Sequence, residues 1–196
     1  MSLNNLANRM SGVGDRQGAL APAQEAVSIR RRLALANPAA YEPDLAMSLN
    51  NLAGFMSDVG DRQSALAPAQ EAVSIRRRLA QANPAAYEPD LASSLNNLAS
   101  RMSDMGDRHG ALALAQESVT IRRRLAQANP AAYEPDLAMS LGTAMQCFAA
   151  ANEKEKAKAC GEEALALFTR LAAAQPKVFE GYKEAAQAEL EALLKN

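Results

Sequence analysis

A segment of 46 residues, repeated along the chain, decides the fold. Residues 44–89 read DLAMSLNNLAGFMSDVGDRQSALAPAQEAVSIRRRLAQANPAAYEP. Residues 90–135 carry the same segment with nine substitutions, and residues 1–43 carry most of it. A fixed period of roughly 20 to 50 residues is typical of a solenoid, in which each unit buries its apolar face against its neighbours. The sequence therefore predicts an extended repeat protein.

Each unit is predicted to be a pair of antiparallel helices, so the fold class is all-α. In the second unit Asp44 is a suitable N-cap, and Leu45, Leu49 and Leu52 follow at helical spacing. Gly60 and Asp61 end the first helix, since glycine supplies a left-handed turn and aspartate caps the next helix. The second helix is predicted over Arg62 to Ala82.

The segment between units is predicted to be a loop. Asn83 tolerates the left-handed conformation and Pro84 cannot continue a helix, so the chain is expected to stop being helical there until Pro89 and Asp90. Pro22 and Pro68 fall inside the predicted second helices and are expected to kink them.

The repeats predict one array with defined boundaries. These are a shortened repeat over residues 1–43, repeats over 44–89 and 90–135, a divergent repeat over 136–181 and an amphipathic capping helix over 182–196. The first unit lacks the Pro-Asp start of the others, so its apolar edge is expected to be exposed. Either the chain was cut from a longer array or that edge meets another molecule.

Composition argues against several functions. The 21 basic and 22 acidic residues give a net charge of −1. The chain therefore lacks the excess of basic residues that is typical of a nucleic-acid-binding protein. No apolar run approaches the roughly 18 residues of a membrane span. Cys147 and Cys160 are expected to be free thiols, and no signal peptide opens the chain, so a cytoplasmic location is expected.

The pattern Leu49, Leu52-Ala53, Met56, Gly60-Asp61, Ala65-Leu66 and Ala72 resembles the tetratricopeptide repeat. The period of 46 exceeds the usual period of about 34, and the doublet in Leu-Asn-Asn-Leu-Ala is similar to the long-period variety of kinesin light chains and bacterial multi-repeat proteins. The resemblance implies a right-handed superhelix whose concave wall is the first helix of each pair. It also implies protein or peptide binding rather than catalysis, and no cofactor.

The candidate ligand contacts lie on the first helices. Asn50 and Asn51 recur as Asn4-Asn5 and Asn96-Asn97 and are expected to form a ladder along the concave wall. An amide both donates and accepts hydrogen bonds, so it can pair with any peptide backbone. The resemblance points to the second member of each doublet, which selects Asn5, Asn51 and Asn97. The alternative is that these amides tie neighbouring helices together.

Differences between copies suggest a second set of contacts. Arg9, Phe55 and Arg101 occupy equivalent positions on the first helices, on or beside the expected free edge. Because the copies vary there, this face is interpreted as tuned for a ligand.

Three arginine triplets recur without variation on the second helices, at residues 30–32, 76–78 and 122–124. One reading is a basic ridge that binds an acidic partner. The other is structural, with ion pairs to the equally periodic acids Glu42, Asp44, Glu88, Asp90, Glu134 and Asp136.

The predicted function is therefore a scaffold that binds a peptide or helix in the concave groove. Two alternatives remain, namely self-association through the uncapped first repeat, or a sensor array within a larger signalling protein. An enzyme is not expected, because His109 is the single histidine and no catalytic or metal-binding motif is present.

Overall fold

The computed structural model describes residues 2–195, which form nine α-helices without a strand. The helices are α1 (Leu3–Gly12), α2 (Leu20–Ala36), α3 (Pro38–Asp58), α4 (Arg62–Ala82), α5 (Pro84–Asp104), α6 (Arg108–Ala128), α7 (Pro130–Ala150), α8 (Lys154–Ala174) and α9 (Pro176–Lys195). Within each part of the chain helices adjacent in sequence pack on each other, as α3 and α4 or α7 and α8 do, which is typical of a tetratricopeptide-like solenoid. The all-α prediction is confirmed.

The chain divides into two compact units, residues 1–101 and 102–196. In the first unit, α3 packs on both α2 and α4, and α1 packs on α2. In the second unit, α7 packs on α6 and α8, and α9 packs on α8. No helix of the described chain is long and apolar enough to cross a lipid bilayer.

The turns within the helix pairs follow the predicted chemistry. Gly60 has a φ of +87°, and the Asp61 side chain accepts a hydrogen bond from the backbone N–H of Ser64 at 3.2 Å. In the last pair Asn152 takes the place of glycine with a φ of +61°, since asparagine tolerates this conformation better than most residues. The prediction of α4 over Arg62 to Ala82 is confirmed.

The predicted loop between units is wrong. α3 begins at Pro38, so the Asn-Pro-Ala-Ala-Tyr-Glu-Pro-Asp segment forms its first two turns. Asn37 has a φ of −146° rather than a left-handed conformation, and its side chain accepts from the backbone N–H of Ala40 at 3.3 Å. Proline is favoured at the first helical position, and Tyr41 packs against the core, which offsets the hydrogen bond that Pro43 removes within the helix.

Two further helix boundaries differ from the predictions. α2 begins at Leu20, so Pro22 lies in its first turn, whereas α4 continues through Pro68. α9 begins at Pro176 rather than near residue 182, because Pro176 starts it as Pro38 starts α3. Of its predicted apolar side, Leu190 is buried and Tyr182 is half exposed.

The buried residues of α3 and α4 are mainly alanine and leucine. Leu45, Leu49, Leu52 and Ala53 of α3 are buried, as the helical spacing predicts. Ala65, Ala69 and Ala72 of α4 are buried as well. These small side chains let the helix backbones approach closely, and the apolar surface that they and the leucines remove from water stabilises each pair.

Candidate functional site

The first helices carry the predicted asparagines at different depths. Asn5 of α1 is exposed, and Asn51 of α3 and Asn97 of α5 are half-buried. The first members of the later doublets, Asn50 and Asn96, are also half-buried. The asparagine doublets therefore recur at equivalent positions of three first helices within residues 1–101, but at different depths.

Some of these amides connect neighbouring helices. The Asn97 side chain donates to Asn50 Oδ1 at 3.4 Å, and Asn4 donates to Ser48 Oγ at 3.0 Å. These bonds fit the structural interpretation of the ladder. The side-chain amides of Asn5 and Asn51 have no hydrogen-bond partner among residues 2–195. A buried acceptor, Asn96 Oδ1, also lacks a partner within this part of the chain.

The equivalent set Arg9, Phe55 and Arg101 does not form one exposed surface. Arg9 is exposed, but Phe55 is only 7 % exposed and belongs to the core of the first unit. The expectation that Phe55 lies on a free edge is wrong. Its ring joins the buried leucines of α3, where removal from water is favourable.

Arg101 of α5 contacts α3. Its Nε donates to Ser57 Oγ at 3.2 Å, and its Nη2 would lie 3.8 Å from a Cβ built on Gly54. Glycine at position 54 thus leaves room for the guanidinium beside α3. Arg101 connects two first helices and keeps part of its surface exposed.

The first arginine of each triplet is a structural connector. Arg76 is 7 % exposed and donates to the backbone carbonyl of Asp90 at 2.9 Å and to Ser94 Oγ. Arg30 makes the same pair of bonds, to the Asp44 carbonyl at 2.9 Å and to Ser48 Oγ at 2.5 Å. Each guanidinium joins a second helix to the first helix of the next pair.

The equivalent Arg122 is 4 % exposed and pairs with the Asp136 carboxylate. Burial lowers the pKa of Arg76, although the nearby Asp90 carboxylate acts in the opposite direction. Two buried serines are residues that the sequence reasoning missed: Ser94, which accepts from Arg76, and the equivalent Ser140, whose hydroxyl lies 3.2 Å from that of Ser118. Their recurrence at the same position in each copy is the signal that could have identified them.

Three of the remaining triplet arginines form exposed ion pairs. Arg31 pairs with Glu71 at 2.6 Å, and Arg123 pairs with Glu163. Arg78 pairs with Glu42, which raises the pKa of Arg78 through a side-chain hydrogen bond and the carboxylate charge. These contacts support the structural interpretation of the triplets rather than a basic ridge. Glu71 and Glu163 were not among the acidic residues predicted to pair with the arginine triplets.

A cavity of about 180 Å³ in the last helix pair was not predicted. We call it the anchor pocket, and it lies between α7, α8 and α9. Its lining includes Met139, Gly142, Met145, Phe168, Tyr182 and Glu189. The Phe168 and Tyr182 rings are stacked, with centroids 5.6 Å apart and planes inclined by 15°. Tyr182 and Met139 are 50 % and 46 % exposed, so the pocket opens to solvent.

Two glycines mark the anchor pocket in the sequence. Gly142 stands where the other copies have Asn4, Asn50 and Asn96, and a Cβ built on it meets nothing within 4 Å. Gly161 stands where they have alanine, and a Cβ there would lie 2.6 Å from Met145 Sδ and 2.9 Å from Leu190 Cδ1. Comparing the last copy with the others, position by position, could have shown this site.

The family of the chain follows from its repeats and their packing. The family model described as Tetratricopeptide repeat matches residues 1–37, 45–85 and 91–131. The chain belongs to the tetratricopeptide repeat family. Repeats of this family generally mediate protein–protein interactions and are typically non-catalytic scaffolds, which implies protein partners.

Solved structures share the fold. The structure of a Podosopora anserina protein assigned to the kinesin light chains, with nearly identical TPR-like repeats, is 21 % identical and has a TM-score of 0.68. The match covers 99 % of this chain and 92 % of that one. BtubC (BKLC) from P. vanneervenii is 23 % identical with a TM-score of 0.59, over 80 % of this chain and 58 % of that one. No curated protein gives a significant match.

Proposed function

We propose that this protein is an interaction scaffold that binds a peptide or a helix along the face formed by the first helices of its repeats. The family supports a protein partner. The observation that carries the choice of face is the pair of side-chain amides, Asn5 of α1 and Asn51 of α3, that have no hydrogen-bond partner among residues 2–195. The free cysteines Cys147 and Cys160 suit the reducing cytoplasm, where we place the protein.

The arginine triplets strengthen this choice of face. Their guanidiniums are engaged by carboxylates, serine hydroxyls and backbone carbonyls at several positions, including Arg30, Arg76 and Arg123. A partner at the second helices would have to displace those bonds. A peptide at the first helices would instead supply partners to amides that lack them, at no cost in existing contacts.

The test is selection of binding peptides from a random peptide display library on the immobilised chain, followed by calorimetry. Replacing both Asn5 and Asn51 with alanine should weaken binding of a selected peptide about tenfold, because two hydrogen bonds of about 0.5–1.5 kcal/mol each are lost. The matched control replaces Gln24 and Gln70, equivalent exposed residues of the second helices, and should leave the Kd unchanged. A Kd that is insensitive to the asparagine changes would contradict the proposed face.

Self-association through the first repeat is a second candidate function. It is favoured by two charged side chains of α2 that form no ion pair within residues 2–195. Glu25 and Arg32 are exposed and have no ion-pair partner among residues 2–195, whereas their equivalents Glu71 and Arg78 are both paired. Antiparallel contact between α2 of two copies would bring each glutamate against an arginine. Leu35, 81 % exposed, would add apolar surface to that contact.

Light scattering over a range of concentrations tests this second candidate. The mass should approach that of a dimer as concentration rises. Glu25→Arg should prevent the increase by placing like charges together, and adding Arg32→Glu should restore it because the pairs are then reversed. A mass that stays monomeric at high concentration would exclude self-association and leave the peptide-binding proposal standing.

A further inference from the structure

We propose that the anchor pocket receives one aliphatic side chain, leucine or methionine, of a bound peptide in which a lysine or arginine lies next to that residue. This inference rests on the proposed function, since it names what part of the peptide the last repeat selects. The argument depends on the shape, lining and charge of the pocket.

The shape of the pocket comes from the absence of two side chains. At Gly142 the repeat loses the asparagine that the earlier copies carry, and the space above the backbone stays open. At Gly161 the missing methyl group lets Met145 and Leu190 lie against the backbone of α8. The resulting volume of about 180 Å³ is comparable to the roughly 150 Å³ apolar cavity that holds a benzene molecule, so one large apolar side chain fits.

Apart from Thr143, Gln146 and Glu189, the lining is apolar. The buried Phe168 ring stacks on Tyr182, and the side chains of Met139 and Met145 complete the wall. Pockets of this kind bury most of a ligand group because the walls are in place before binding. The adaptable methionine side chains suit a flexible aliphatic group.

The rim carries a single type of charge. Glu189 lines the pocket, and its Oε2 accepts from Gln146 Nε2 at 3.2 Å, which orients the carboxylate at the opening. No lysine, arginine or histidine belongs to the lining. A basic residue next to the anchoring side chain would therefore meet a carboxylate, and an acidic one would be disfavoured.

The display library of the first test provides the probe. The selected peptides should be enriched in leucine or methionine with lysine or arginine within two positions. Gly142→Asn restores the residue of the other copies and fills the opening, so it should raise the Kd of a selected peptide about tenfold while the helical signal in circular dichroism is unchanged. Glu189→Gln should remove the preference for a basic residue and keep the preference for an aliphatic one.

The matched control is Gln116→Asn, which places an asparagine on α6 and should leave the Kd unchanged. If selected peptides depend on Asn5 and Asn51 but keep their Kd within about twofold in the Gly142→Asn protein, the anchor pocket inference is overturned and the proposed function stands. If the library yields no peptide that binds the full chain, both fail. Loss of affinity in Gly142→Asn alone, with the control intact, supports the inference.

Discussion

Replacing Arg76 with methionine should lower the free energy of unfolding by about 2–3 kcal/mol, measured by urea denaturation followed by circular dichroism. The Arg76 side chain is buried between α4 and α5, and its guanidinium donates to the Asp90 carbonyl and Ser94 Oγ. Methionine keeps the apolar stem but leaves these two acceptors without their donor. Buried polar groups that lose a partner cost more than the bond itself contributes.

The control for this prediction is Arg78→Met in the same triplet. Arg78 is exposed and pairs with Glu42, and an exposed pair contributes less than about 1 kcal/mol. A loss at Arg76 no larger than that at Arg78 would show that the buried guanidinium is not a structural connector.

A double-mutant cycle separates the hydrogen bond from the packing. Once Arg76 is methionine, the Ser94 hydroxyl has already lost that partner, so adding Ser94→Ala should cost less than Ser94→Ala costs alone. Additive losses would mean that the two side chains stabilise the helix pair independently.

Replacing Leu141 with alanine should lower the free energy of unfolding by about 3 kcal/mol. Leu141 is fully buried in α7, at the position of Leu49 and Leu95 in the other copies. Removing the isobutyl group loses its transfer energy and leaves a cavity among helices that are held by close backbone approach. Denaturant unfolding monitored by circular dichroism measures the change.

Met139→Ala is the matched comparison, two residues earlier on the same helix. Met139 is 46 % exposed, so its truncation should change the free energy of unfolding by no more than about 0.5 kcal/mol. If the free energy of unfolding falls equally at the two positions, the buried side of α7 is not tightly packed around Leu141.

Helix existence could be predicted from the sequence, but the start of the first helices could not. The bounds of α4 and the turn at Gly60 follow from local rules, since glycine and an aspartate cap act within a few residues. Proline in the segment before Leu45 suggested a loop. Packing of Tyr41 against the core, together with the Asn37 cap, makes that segment helical.

The candidate site, too, was predicted only in part from the sequence. The sequence identified the asparagine doublets, because they recur at the same position in three copies. It did not show that Asn97 bonds to Asn50 while Asn51 has no partner within residues 2–195, because that depends on the depth of each side chain between neighbouring helices. It also placed Phe55 at a free edge, although the ring turns into the core.

What the sequence by itself determined is the repeat, its helix pairs and the alanine and leucine seams, because these depend on spacing and on residues close in the chain. Only the tertiary structure decided which arginines are buried and which amides remain unengaged. It also decided that two glycines and a terminal helix enclose a pocket in the last pair. Those properties arise where side chains of different helices compete for the same space and the same hydrogen-bond partners, and no single copy of the repeat contains that information.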